Sequence, residues 1–430
     1  MNEYDSNRII SLVKKIGYDR TKILSEANCY ILNTCHIREK ATDKVYHDIG
    51  RVKKEFRNKK KPILLVTGCV AQAEGDVLLK KESYIDGVIG PQSYQKINTI
   101  IKEIEDKSNK INSTEFDVDE KFDQLNLIKN QDTKVSSFLT IQEGCDKFCK
   151  FCVVPYTRGP EHSRPFSQIF SEARELVDNG SKEITLLGQN VNAYKHEKNK
   201  LSDLIFKLSS IRGLDRIRYT TSHPKDVTED LIEAHGSCKK LMPLLHLPVQ
   251  SGSTKILKEM NRKHSLKEYI NIVQRLKTKN PSIEFSSDFI IAYPGENDND
   301  FLDTVNLMEK IKFINTYSFL YSPRPGTPAA ELETIDIIKA KKRLEIFQDI
   351  AKNIKTKYRK KLVKTTATVL FENQIKNENK YFGRDEYSNS VIVQSDKNLI
   401  GQIIKVQIEN FNQNTLFGNI ASNSVQPIFA

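Results

Sequence analysis

The chain has 430 residues, well beyond the ~150 of an ordinary single domain, so two to four domains with separate cores are expected. Hydrophobic residues make up 38% and charged residues 28%. No apolar run reaches the ~18 residues of a membrane helix, and the start MNEYDSNRII has neither the basic nor the apolar region of an export signal. A cytoplasmic protein with no membrane partner is therefore expected. The net charge of +12, from 67 Lys+Arg against 55 Asp+Glu, points to a polyanionic partner such as RNA, or to nothing more than a lysine-rich genome. Seven cysteines, an odd number without an export signal, argue for thiols used in metal binding or chemistry instead of disulfides.

Residues 3–16 read as an amphipathic helix. From Asn28 to about Lys102, short apolar runs alternate with helical segments: CYILNT, PILLVTG and IDGVIG are expected as parallel strands, REKATDKVYHDIGRVKKEF and EGDVLLKK as helices. This predicts a small α/β domain over 1–102 that opens on a helix, where a doubly wound unit opens on a strand, so a first strand is missing from the pattern. Residues 103–136, with the acid-rich EFDVDEKFDQ, read as a linker. A second alternation over 137–362 supplies six strand candidates, SFLTIQ, EITLLG, RIRYTT, PLLHLPVQ, EFSSDFIIA and INTYSFLYS, each followed by a helical stretch, which predicts a barrel or partial barrel. Gly, Pro and polar residues gather after these strands, where barrel enzymes build their sites. A basic helix follows, and from about Thr365 short alternating strands predict a small β-barrel over 363–430.

The stretch EGCDKFCKFCVVPYTRG sets Cys145, Cys149 and Cys152 in one loop after the first barrel strand. Three thiolates spaced C-x3-C-x2-C can surround one centre. Structural zinc needs a fourth ligand, for which His162 is the nearby candidate; a cubane iron–sulfur cluster on three thiolates leaves one iron open for a small molecule. Packing cysteines are the third reading. With Phe151 before the last cysteine, the loop resembles the signature of the radical S-adenosylmethionine (SAM) enzymes. That resemblance implies a partial TIM barrel whose open iron chelates SAM and whose product is a 5'-deoxyadenosyl radical. LLGQNVNAY resembles that family's second-strand element near the SAM amino group, and HLPVQSGS and SSDFIIAYPGEN resemble later pocket edges; Gly188, Gln189, Asn190, Gln250 and Asp288, together with Ser222 and Phe151, are candidate cofactor contacts. Close backbone approach at Gly188 and hydrogen bonds from the others suit that role; ordinary turn chemistry is the alternative.

Cys35 follows one buried strand and Cys69 the next, and ligands of parallel sheets lie beyond strand carboxyl ends. NTCHIREKA, GCVAQAEG, GPQSY, YTTSHP and YSPRPGTPAA closely resemble the methylthiotransferases, specifically the MiaB type. The resemblance implies an auxiliary 4Fe-4S cluster on Cys35, Cys69 and a third cysteine in a GCQMNEYDS-like string, of which only MNEYDS is here. Either a start assigned too late or a form without a competent auxiliary site is compatible with that. Cys29 is expected in the core, since it lies ~20 Å along the strand from Cys35, and His36 as a solvated helix residue. RVKKEFRNKKK, the 339–364 helix with eleven Lys/Arg, and a C-terminal module resembling a TRAM domain, an OB-like RNA-binding barrel, are candidate RNA contacts, with Arg384 the best single residue.

The family implies methylthiolation of carbon 2 of isopentenyl-adenosine beside the anticodon of tRNA with two 4Fe-4S clusters, the auxiliary one open to question in this form, SAM, an external electron donor and an unspecified sulfur donor; a monomer is expected. Sister methylthiotransferases acting on threonylcarbamoyl-adenosine or a ribosomal protein, and a non-enzymatic metal-containing RNA-binding protein, are the alternatives. No acid–base catalytic residue is expected.

Overall fold

The computed structural model describes residues 2–35, 40–107, 109–115, 134–376 and 378–421. His36 and most of the expected linker lie outside them. The described residues fall into two compact units: those within 1–131, 142–164 and 322–331, and those within 132–141, 165–321 and 332–430.

In the first unit, α1 (Asn2–Lys14) is followed by β1 (Cys29–Thr34), α2 (Lys40–Glu55), β2 (Ile63–Gly68), α3 (Cys69–Lys81), β3 (Gly87–Ile89), α4 (Ile97–Lys107) and β4 (Ile111–Ser113). The four strands pair in parallel in the order β1-β2-β3-β4. Buried on both faces, β2 is a continuous apolar run: Leu64, Leu65 and Val66 are inaccessible to solvent. The span read as a linker instead begins with the end of α4 and with β4, because Ile111 continues the parallel ladder from Gly87. A three-residue strand carries too little alternation to be seen in sequence. β1 is an outer strand, and a groove of about 1720 Å³ lies beside it, lined by Ile9, Ile10 and Val13 of α1 and by Cys29, Tyr30 and Ile31.

In the second unit all six expected strands form: β5 (Ser136–Thr140), β6 (Glu183–Leu187), β7 (Arg216–Tyr219), β8 (Leu244–His246), β9 (Glu284–Ile291) and β10 (Asn315–Leu320). They make two parallel sheets, β7-β6-β5 and β8-β9-β10, joined by a bridge between Ile217 and Leu241. The helices α5 (Phe166–Asp178), α6 (Leu201–Ser209), α7 (Glu229–Ser237), α8 (Leu266–Lys279), α9 (Asp298–Ile311) and α10 (Ile337–Leu362) pack on one face. Phe289 is fully buried there against Phe347 of α10 at 4.8 Å and Phe313 at 5.5 Å. This is an open, six-stranded partial barrel.

Five strands, β11 (Thr366–Gln374), β12 (Lys380–Arg384), β13 (Ser390–Gln394), β14 (Ile403–Phe411) and β15 (Thr415–Ile420), close the C-terminal barrel in the order β11-β12-β13-β15-β14. Two arginines of β7 fasten it to the larger barrel. Arg216 donates to the carbonyls of Arg384 and Thr368, and Arg218 to those of Glu386 and Asp385. No helix among the described residues is long and apolar enough to cross a membrane.

Candidate metal and cofactor site

In the first unit, the cysteine loop is closed at its base by a two-residue antiparallel ladder, Gln142–Ser163 and Glu143–His162, and by the Cys145 amide donating to the Gly159 carbonyl. Gly144 makes the closure possible: its φ is +73°, and a Cβ there would strike the Pro160 carbonyl. Cys145 and Cys152 are half-buried and Cys149 is buried. Burial pushes the Cys145 thiol up to about 11, so cluster loading must displace a proton from it. Phe151 is half-buried beside Cys152 in the same loop.

Three thiols on one closed loop, none in a disulfide, fit a cluster held by three cysteines. Among the described residues no three His, Cys, Asp or Glu side chains converge as the ligands of a single ion do. A cubane takes its thiolates on separate irons, so they stand farther apart than the ligands of one ion.

Cys35 and Cys69 follow directly on the paired residues Thr34 and Gly68, whose backbones stand about 4.8 Å apart as neighbouring strands do. Thr34 fixes the junction. Its hydroxyl donates to the Thr67 carbonyl at 2.5 Å and accepts from the Val70 amide at 3.2 Å. Gly68, at φ +93°, lets the backbones approach where a Cβ would meet the Thr34 carbonyl. Each cysteine thus directly follows the last paired residue of one of two neighbouring parallel strands. Cys29 sits in the apolar cluster at the other end of β1, its thiol pushed up to about 12 by burial, and Cys238 is buried in the barrel core.

Sequence reasoning missed Arg158. It lies in the cysteine loop, 3% exposed, and donates from Nε to Cys69 Sγ at 3.4 Å and from Nη2 to Asp5 at 2.8 Å. Its carbonyl accepts from Gln92 of the GPQSY segment at 2.7 Å. Burial opposes its charge, but Cys69, Asp5, Tyr94 and Glu143 overcome that and hold it well above the ordinary guanidinium range. Only the long sequence separation hides it, since TRG carries no signal of a partner 89 or 153 residues away. The amide of Ala329, in YSPRPGTPAA, donates to the Lys150 carbonyl and so joins a second motif to the loop.

The second unit holds the remaining candidates at its strand ends. Gly188 is buried directly after β6, Gln189 is half-buried, and the buried Asn190 donates to Asp226 at 2.7 Å. After β7, Ser222 is buried with its hydroxyl unpartnered. After β8, Gln250 stands at φ +77° and exchanges backbone hydrogen bonds with Asp288 and Ile290. Thr221, Gln250 and Ala292, after three consecutive strands, all have left-handed backbones, an uncommon and costly conformation that concentrates at ligand sites. Asp288 lies mid-strand, 3.5 Å from His246 Nε2. Arg384 donates from Nη1 to both carboxylate oxygens of Glu372, lies over the Phe382 ring and stays 40% exposed.

Comparisons with known proteins agree with this geometry. The Radical SAM superfamily model matches residues 139–308, the Uncharacterized protein family UPF0004 model 1–90, and the TRAM domain model 360–421. The tRNA-2-methylthio-N(6)-dimethylallyladenosine synthase of Pelagibacter ubique is 59% identical over 100% of this chain and 97% of its own length. Those of Rickettsia typhi and Ruegeria pomeroyi are 47% and 45% identical, each over 98% of this chain and 97% of their own length. Among solved structures, the radical SAM methyltransferase TsrM from Kitasatospora setae, with tryptophan and a SAM analogue bound, superposes with a TM-score of 0.57 over 76% of this chain and 72% of its own, at 13% identity, a likeness of fold. Full-length similarity to enzymes of one name and the three thiols in their closed loop lead to one conclusion: this chain belongs to the MiaB-type, radical SAM family of tRNA-2-methylthio-N(6)-dimethylallyladenosine synthases.

Proposed function

We propose that this chain attaches a methylthio group to carbon 2 of N6-dimethylallyladenosine beside the anticodon of tRNA. The observation that carries the reading is 59% identity along the whole chain to a synthase named for that product, with the C-x3-C-x2-C loop intact. When bound, an iron–sulfur cluster and SAM supply the radical that activates the carbon–hydrogen bond. Cys145, Cys149 and Cys152 hold the cluster, with Phe151 beside it. Gly188, Gln189, Asn190, Ser222 and Gln250 line the strand ends that hold SAM. Cys35 and Cys69 serve a second, sulfur-handling cluster, and Arg158 orients Cys69. The C-terminal barrel and the lysine-rich surfaces hold the tRNA; electrons come from a separate donor.

The sister reactions and a non-enzymatic role draw no support from the relatives' names. The deciding experiment is mass spectrometry of tRNA nucleosides from a deletion strain. Loss of the 2-methylthio nucleoside with accumulation of N6-dimethylallyladenosine is expected, with restoration by the intact gene and none by Cys149→Ala. An unchanged 2-methylthio pool overturns the reading.

A further inference from the structure

The strands of a closed (β/α) barrel pack their inward side chains into a core. Part of this partial barrel does not. On the face of β9 and β10 away from the helices, Ser286, Asp288 and Ile290 stand beside Asn315, Tyr317 and Phe319 in register, with His246 beside Ser286. Phe285, Phe289 and Ile291 of β9 point the other way, into the core. Tyr317 is 54% and Phe319 40% exposed. His246 is held between the Ser286 hydroxyl at 2.9 Å and the Asp288 carboxylate at 3.5 Å, with its ring edge against Tyr317. Two large exposed rings beside an ordered, part-exposed carboxylate are a costly surface to leave in water.

We propose that this face reads the target base: Tyr317 stacks on the purine, Asp288 accepts the one N–H left on N6, and Phe319 covers the dimethylallyl group. The carboxylate accepts hydrogen bonds and offers none, so it favours an N–H edge and repels a phosphate. Along β10, Phe319 stands roughly 7 Å beyond Tyr317, the direction and reach of a branched five-carbon substituent leaving a stacked ring. The adenine of SAM also presents an exocyclic amine, but an unsubstituted one that has no use for the second aromatic. His246 and Ser286 act as positioning residues, fixing the carboxylate. This rests on the reaction proposed above and adds which residues select its substrate.

The test measures binding of the full-length, reconstituted protein to two anticodon stem-loops, identical except for N6-dimethylallyladenosine or adenosine at the target position. Wild type is expected to prefer the substituted RNA by about tenfold, Phe319→Ala to cut that preference to about twofold, Tyr317→Ala to weaken both RNAs about tenfold, and Tyr317→Phe to restore the stack. Asp288→Leu is expected to weaken the substituted RNA and leave the fold intact by circular dichroism, since the site faces solvent. Preference retained in Phe319→Ala and Tyr317→Ala overturns the proposal alone, as does a loss of SAM affinity with RNA selectivity unchanged. A wild type with no preference counts against the reaction itself.

Discussion

Arg158 shows how much one buried charge can organise. Its guanidinium is 3% exposed and ties Asp5 to Cys69, with Glu143 4.0 Å from its Nη1. Truncating one partner of a buried pair leaves the other's charge uncompensated, so Arg158→Ala is expected to cost about 3–5 kcal/mol in urea unfolding. Arg158→Lys should recover only part, because an ammonium keeps the charge but loses the planar fork. His235 makes a second prediction. Its ring meets the Tyr219 hydroxyl at 2.6 Å and burial pushes it down to about 4, below the ~6.5 of an unfolded histidine. The unfolded chain therefore takes up a proton that the folded chain refuses. Stability is full above about pH 6.5 and falls as pH drops toward about 4; His264, also pushed down to about 4 by burial, adds in the same direction. Urea midpoints at pH 7 and pH 5 should differ less in His235→Gln than in wild type. Neither residue is conspicuous in sequence, since burial and partner are properties of the folded chain.

Strands and helices were easier to read. β5 to β10 stand where apolar runs and strand-end polar clusters place them, because a two-faced parallel strand is a short continuous hydrophobic run. β4 escaped notice for its shortness. The helix α10 reads in sequence as a basic, phosphate-facing element, but the structure divides its charges. Arg343 pairs with Glu296 and Asp298, and Arg359 donates to the carbonyls of Asn412 and Asn414, so these two arginines hold the fold. The same helix buries Phe347 completely against Phe289. Phe347→Ala deletes a ring from a close-packed core and should cost about 3–5 kcal/mol, read as a lower denaturant midpoint, with the C-terminal barrel more sensitive to protease because its connecting helix is loosened.

Across the chain, Lys53, Lys59 and Lys61 of the 51–61 stretch pair with Glu82, Glu55 and Asp86, which leaves Lys54, Lys60 and the lysines of α10 as the proposed phosphate contacts, and release of counterions should make tRNA affinity fall linearly in logarithm with salt. Arg384→Ala should lower that slope by about one and weaken RNAs of different sequence alike, measured by anisotropy at several salt concentrations. No change would place Arg384 with Glu372 as a purely structural pair. The cysteine spacing, the succession of strands, the strand-end motifs and the closing small barrel were legible because each is local: spacing within one loop, periodicity within one element, composition within one turn. The link from Arg158 to Cys69, the ordered His246–Asp288–Tyr317 face and the fastening of the C-terminal barrel by Arg216 and Arg218 were not. Their partners lie tens to more than a hundred residues apart, and only folding brings such groups within hydrogen-bonding range, where burial then sets their strength.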